Sequence, residues 1–399
     1  MANTTNEEFL DALLRHQIGL MRLSGSIRNQ IIEILDRTER DLKDQIARRM
    51  RRGLPSDNIA ATRIKSLEKI VRNIRGQAWD EINAIWANEM KALAKAEPNF
   101  INQALRTTAP VTLSTVIPAT ADLIALISSS PFEGKVLKDW AKDIRQADLT
   151  RIMGQVRIGI VQGESSAAIS RRVVGTAALR GANGATQITR NNAAALTRTM
   201  VNHFSNQAKR LFYEANKDIL DEEVYVATLD SRTTAICRSL DGQRFPIGVG
   251  PIPPLHFACR SLRVAVIDGQ VLGRRPTKSS TDKQLLREYA RSQGLPTVSS
   301  RGALPRGHRG LFDNFARRRV RELTGTAPAD LTYDQFLKRQ SVSFQDEVLG
   351  TTKARLWRKG GLTLDKFVNR QGDELTLSQL ARSEQAAFRA AGLDPDNFT

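Results

Sequence analysis

Residues 224–267, VYVATLDSRTTAICRSLDGQRFPIGVGPIPPLHFACRSLRVAVI, constrain the fold of this chain more than any other stretch. Val224, Tyr225 and Val226 open the segment, and Leu262, Val264, Val266 and Ile267 close it. These β-branched and aromatic runs predict two short, half-buried strands. Between them, Gly242, Pro246, Gly248, Gly250, Pro251, Pro253 and Pro254 predict a long irregular loop. Each proline fixes φ and lacks an amide donor, so no helix can form across them. A loop of this kind needs anchors. The segment offers Asp230, Arg232, Cys237, Asp241, His256, Cys259 and Arg260, which include both cysteines of the chain.

Upstream of the loop, apolar residues recur at helical spacing. Ile27, Ile31, Ile34 and Leu35 mark one long amphipathic helix. Leu67, Val71, Ile74, Ala78, Ile82, Ile85, Met90 and Leu93 mark a second, which ends near residue 100. The turn formers at 53–57 separate the two into a hairpin. Arg48, Arg49, Arg51 and Arg52 suit the negative end of the first helix dipole, and Trp79 and Trp86, seven apart, share a core-facing side of the second. From 98 to 131 the pattern loosens, with one short apolar helix expected over 119–127. Helical periodicity returns from Val136 to Ile160, after which Gly163, Glu164 and Ser165 stop one helix and cap the next. A long helix follows over about 189–217, with Leu196, Met200, Phe204, Leu211 and Phe212 on its buried face and His203 as a structural residue. The glycine-rich run GTAALRGANG is not a phosphate loop, since Ala182 stands where the lysine is needed. The predicted fold class is α+β, predominantly helical. It comprises an N-terminal long-helix region over 1–135, a small α+β core with the Pro/Gly-rich loop over 136–270, a basic linker over 271–310, and a small helical region over 311–399.

Charge narrows the partners. The chain carries a formal +18, and residues 257–325 hold 15 Lys and Arg against 5 Asp and Glu, so over half of the excess sits in one sixth of the length. A polyanionic partner is the expectation, because cations that neutralise phosphates release condensed counterions. Arg274 and Arg275 on the linker and Arg317, Arg318, Arg319 and Arg321 on a basic helix are the expected contacts to double-stranded DNA. His308, between Arg306 and Arg309, is read as solvated or facing a phosphate. Such binding would ignore sequence, since no base-reading motif is present. Pro276, Pro296 and Pro305, with Ser, Thr and Gly around them, argue against a folded core in this tract, apart from one short helix at 283–292. No apolar run reaches the roughly 20 residues of a membrane helix, and the first residues lack a secretion pattern, so a reducing cytoplasm is the expected place of synthesis and assembly.

Cys237, His256 and Cys259 carry the chemistry of the loop. Thiolate and imidazole suit a tetrahedral zinc, with Asp230 or Asp241 as fourth ligand and H-x-x-C placing two ligands on one turn. A buried thiol pair beside a hydrogen-bonded histidine, or a disulfide, would use the same residues. Cys237 with His256 and either aspartate can also be drawn as a thiol hydrolase, although no nucleophile motif surrounds them.

The same residues carry a resemblance. The order D-x-R-T, C, L-D-G-x-x-F, P-P-x-H-x-x-C-R resembles the core signature of the phage Mu F-like minor head proteins, the head morphogenesis proteins of tailed bacteriophages. It matches at Asp230, Arg232, Thr233, Cys237, Asp241, Gly242, Pro254, His256, Cys259 and Arg260. Family members commonly carry one more cysteine just upstream and end the signature C-R-C, whereas this chain has Thr234, Ala235 and Ile236 upstream and Ser261 at the end. Residues 332–380 are similar to the family's C-terminal segment. The resemblance implies a structural minor protein of the phage head, not an enzyme, associated with the portal vertex. It further implies contact with the portal protein, the major capsid or scaffolding protein, and DNA entering or leaving the head. The alternative is an unrelated basic DNA-binding protein.

Overall fold

The computed structural model describes residues 5–50, 57–108, 114–179, 181–266 and 274–399. Two helices, α1 (Thr5–Met50) and α2 (Asp57–Thr108), form an antiparallel hairpin on the order of 70 Å long, at 1.5 Å per residue. The apolar stripes read from the sequence face each other along it. Near one end Phe9, Leu10 and Leu13 meet Ile101, Ala104 and Leu105. Ile27, Ile31 and Ile34 meet Trp79, Ile82 and Trp86 in the middle, and Leu42 and Ile46 meet Leu67 and Val71 at the far end. The expected stop near residue 100 is wrong by a turn or two, since α2 runs through Pro98. A proline inside a helix costs about 3 kcal/mol, which the burial of Ile101, Ala104 and Leu105 offsets. Of the arginines expected at the end of α1, Arg48 is exposed, and the side chains of Arg49, Arg51 and Arg52 lie outside the described residues, as do residues 53–56 of the predicted turn.

Helices α3 (Thr120–Ser129), α4 (Leu137–Val161), α5 (Ser166–Val174) and α6 (Thr186–Ala215) pack on this hairpin. Ser165 caps α5 through the amide of Ala168, as read. A buried polar knot ties α1, α2, α4 and α6 together. Asp148 on α4 accepts from Arg75 Nε (2.7 Å), Trp79 Nε1 (3.0 Å) and Thr189 Oγ1 (2.6 Å), while Arg75 also donates to Thr38. A second knot joins His16, Glu97, Ser205 and Lys209. His203 is buried within α6, and that burial lowers its pKa to about 4, so it is a neutral core residue as expected.

After α6 comes a three-stranded antiparallel sheet, ordered β2-β1-β3, from β1 (Glu222–Val226), β2 (Arg244–Pro246) and β3 (Leu262–Val266). The two predicted strands pair with each other, Val224 opposite Val264. The connection between them is less irregular than its prolines suggest, since it holds the short helix α7 (Ala235–Leu240) and strand β2. Both precede Pro251, where the proline constraint tightens.

The basic tract expected to lack a folded core, apart from one short helix at 283–292, has one, and that helix is present. Strand β4 (Arg274–Lys278) pairs with β5 (Thr324–Pro328), and between them α8 (Asp282–Ser292) and α9 (His308–Leu323) enclose Leu285, Leu286, Tyr289, Leu304 and Phe312. Apolar pattern outweighs proline and charge here. Leu285, Leu286 and Tyr289 already form a helical stripe, and Thr281 with Gln284 makes a capping box. His308 hydrogen-bonds the Tyr289 hydroxyl at 3.0 Å through Nδ1. The chain ends in five short helices, α10 (Tyr333–Lys338), α11 (Val342–Leu349), α12 (Thr351–Gly360), α13 (Leu377–Ser383) and α14 (Gln385–Ala390). They share a core that includes Phe336, Phe344, Trp357, Leu380 and Phe388.

Candidate functional site

The signature residues split into two aspartates, each pinned by an arginine, and one sulfur–imidazole cluster that lines a cleft of about 490 Å³ between α1, α6 and the loop. Asp230, just after β1, accepts both Arg260 Nη atoms, at 2.6 and 2.8 Å, and the Arg232 amide at 3.0 Å. Burial alone would raise its pKa, but the Arg260 guanidinium holds the carboxylate below the usual range. Thr233 turns its hydroxyl inward onto the Thr228 carbonyl. Asp241, at the end of α7, accepts from the amides of Ala227 (2.7 Å) and Tyr333 (2.6 Å) and from Arg275 (2.8 Å). Gly242 follows with φ of +81°, where a Cβ would come within 2.8 Å of Thr332 Cγ2, so glycine is required there. Pro254 is buried, with a cis bond from Pro253.

Both aspartates are therefore consumed as structural acceptors, and neither is the fourth metal ligand expected from the sequence. What remains is Cys237, His256 and Cys259, whose ligand atoms all lie within 4.8 Å of one another, the one such group of three among the described residues. Cys237 Sγ is 3.3 Å from His256 Nε2 and 3.7 Å from Cys259 Sγ, and both thiols are free and buried, at 1% and 3% exposure. His256 Nδ1 is 3.0 Å from the Phe257 carbonyl oxygen. A carbonyl can only accept, so Nδ1 carries a proton and Nε2 faces the sulfurs. The hydrogen bond from Cys259 and then that from His256, working against burial, hold the Cys237 thiol well below the ordinary thiol range. Cys259 is pushed up in turn, chiefly by its bond to Cys237. Burial disfavours charge on His256, but the Cys237 sulfur beside it raises its pKa. The Tyr225 hydroxyl completes the surroundings, 3.2 Å from Cys237 Sγ. In many thiol hydrolases a carboxylate or amide side chain orients the imidazole. Here a backbone carbonyl occupies that place.

Helix α6 positions the loop through residues that sequence reading passed over. Thr199 Oγ1 accepts the Ala258 amide at 2.9 Å, and Asn202 Nδ2 donates to the Cys259 carbonyl at 3.0 Å. Two asparagines in a helix interior, Asn202 and Asn206, were the available signal. Phe257 plugs the loop tip into the helical bundle, edge-on to Phe132 and Trp140 with ring centroids 5.0 Å apart in each case. The cleft mouth gathers Arg28 from α1, Arg198 from α6 and Arg232 from the loop, and no Asp or Glu is among its described lining. Burial, and then the charges of Arg28 and Arg232, lower the proton affinity of Arg198.

The six arginines expected to meet phosphates are not equivalent. Arg317, Arg318 and Arg321 are exposed on α9, and Arg274 is exposed while donating to Thr326. Arg319 bridges Glu288 on α8 and Glu322. Arg275 departs from the expectation: it is 2% exposed and spent on Asp241, Ala227 and Leu331, so it cannot reach a phosphate.

Residues 133–263, about a third of the chain, match the family described as phage Mu protein F like protein. The matched stretch holds the whole cleft-side signature from Asp230 to Arg260 and supports the resemblance read from those residues. It stops short of 332–380, where the likeness rests on the residues alone. No curated protein and no solved structure matches the chain.

Proposed function

We infer that this chain is a minor head protein of a tailed bacteriophage, seated at the portal vertex and acting in head morphogenesis and in passage of DNA into or out of the head. The match over residues 133–263 carries this reading, since that family suggests a head morphogenesis protein. The architecture supports it. A hairpin on the order of 70 Å long, with a compact α+β core at one end and a basic helical piece beyond, suits a protein that spans between assembly components better than one that encloses a substrate. No helix among the described residues is long and apolar enough to cross a membrane. Its partners in this reading are the portal protein, the major capsid or scaffolding protein, and double-stranded DNA met without regard to sequence along Arg274, Arg317, Arg318 and Arg321.

In this reading the role is structural rather than catalytic, in keeping with the matched family and with His256 Nδ1 being turned to a backbone carbonyl. A phage genome with an early stop codon in this reading frame is expected to yield capsid shells that form no plaques, with infectivity restored by the chain supplied in trans. Normal plaque formation by particles shown to lack the chain would remove the proposal.

A further inference from the structure

We propose that Cys237, Cys259 and His256 hold a zinc ion, with the fourth position filled by an oxygen donor from the cleft rather than by a carboxylate of this chain. Zn–S bonds of about 2.3 Å and Zn–N bonds of about 2.0–2.1 Å, at tetrahedral angles, give S–S and S–N edges of roughly 3.8 and 3.5 Å. The observed separations, 3.7 Å between the sulfurs and 3.3 Å from Cys237 Sγ to His256 Nε2, fit that figure. They lie far from an S–S bond of about 2.05 Å. The surrounding groups match as well. Metal-bound histidines donate their other ring nitrogen to a carbonyl or carboxylate, which fixes the tautomer. The Phe257 carbonyl does this for His256, and the Tyr225 hydroxyl stands as a donor to the Cys237 sulfur.

Arg28, Arg198, Arg232 and Arg260 line the same cleft. Two thiolates cancel the charge of the divalent ion, so the metal adds nothing to the positive field of the arginines. Both aspartates named as ligands from the sequence are committed elsewhere, Asp230 to Arg260 and Asp241 to Arg275. The protein set is therefore Cys₂His. The ion would join α7, which carries Cys237, to the loop before β3, which carries His256 and Cys259. Few backbone bonds secure that loop, among them Val249 N to Pro246 O and Cys259 N to His256 O.

The test uses the full chain, reduced and freed of metal, titrated with Co²⁺ and then Zn²⁺. One equivalent of Co²⁺ should produce thiolate-to-cobalt charge-transfer absorption with tetrahedral d–d bands, which Zn²⁺ abolishes by displacement while raising Tm. His256→Ala should weaken Co²⁺ binding at least about tenfold, and Cys259→Ser should reduce the charge-transfer intensity, with circular dichroism confirming that each variant is folded. Absence of charge-transfer absorption in the wild-type chain overturns the proposal without recourse to any variant. A spectrum unaltered by Cys259→Ser would equally refute the assigned ligands.

Discussion

Asp241→Ala is expected to destabilise the chain by about 3–5 kcal/mol, the cost of leaving a buried charge without its partner. Asp241 is the point where three separately encoded pieces meet. Its carboxylate accepts from Ala227 after β1, from Tyr333 at the start of α10, and from Arg275 on β4. Alanine would strand two amides and a guanidinium, each enclosed where water cannot replace the lost acceptor. The loss would fall on the docking of the C-terminal helices as well as on the sheet, because Tyr333 belongs to the core of those helices. A urea titration measures it, with the midpoint falling by an amount set by the slope. Arg275→Met in the same chain should recover much of the deficit, since removing both charges avoids the unpaired one. A loss under about 1 kcal/mol for the single variant would show that Asp241 is not the joint described.

The second large effect concerns DNA. Each phosphate neutralised by one of the six arginines named from the sequence would contribute about −0.9 to the slope of log affinity against log salt. The folded chain leaves Arg274, Arg317, Arg318 and Arg321 available, because Arg275 is buried and Arg319 is paired. About four contacts correspond to a slope near −3.6, or a loss of roughly 150-fold in affinity between 50 and 200 mM salt. Arg317→Gln, Arg318→Gln and Arg321→Gln together should flatten the slope by about 2.7, independently of DNA sequence. Arg319 is left in place, so the α8–α9 bridge survives, and stability should change by no more than about 0.5 kcal/mol per site. A slope unchanged in the triple variant would reassign these arginines to a protein partner or to solvation alone.

Local patterns were legible in the sequence, and long-range pairings were not. The stripe from Leu67 to Leu93 and the β runs at 224–226 and 262–267 needed only spacing and side-chain type, and they appear as α2, β1 and β3, with Ile267 outside the described residues. The cluster of Cys237, His256 and Cys259 was visible too, because its members lie within one segment. Which carboxylate faces which cation was not. Asp241 could be offered as a metal ligand only while Arg275, 34 residues away, was thought to belong to a loose linker. The basic tract departs from expectation for a related reason. Charge and proline describe what its surface shows to water, whereas Leu285, Leu286 and Tyr289 decide what it buries. Pro98 teaches the same lesson in a helix, where a local penalty gave way to packing against Phe9, Leu10 and Leu13.

An asymmetric cryo-electron microscopy reconstruction of DNA-filled phage particles whose genome encodes the chain tests its place most directly. The account predicts density at the single portal vertex into which the α1–α2 hairpin fits, with the α9 arginines facing the DNA path and peptides of the chain in the same particles by mass spectrometry. Filled, infectious particles from which the chain is absent by both measures would contradict it.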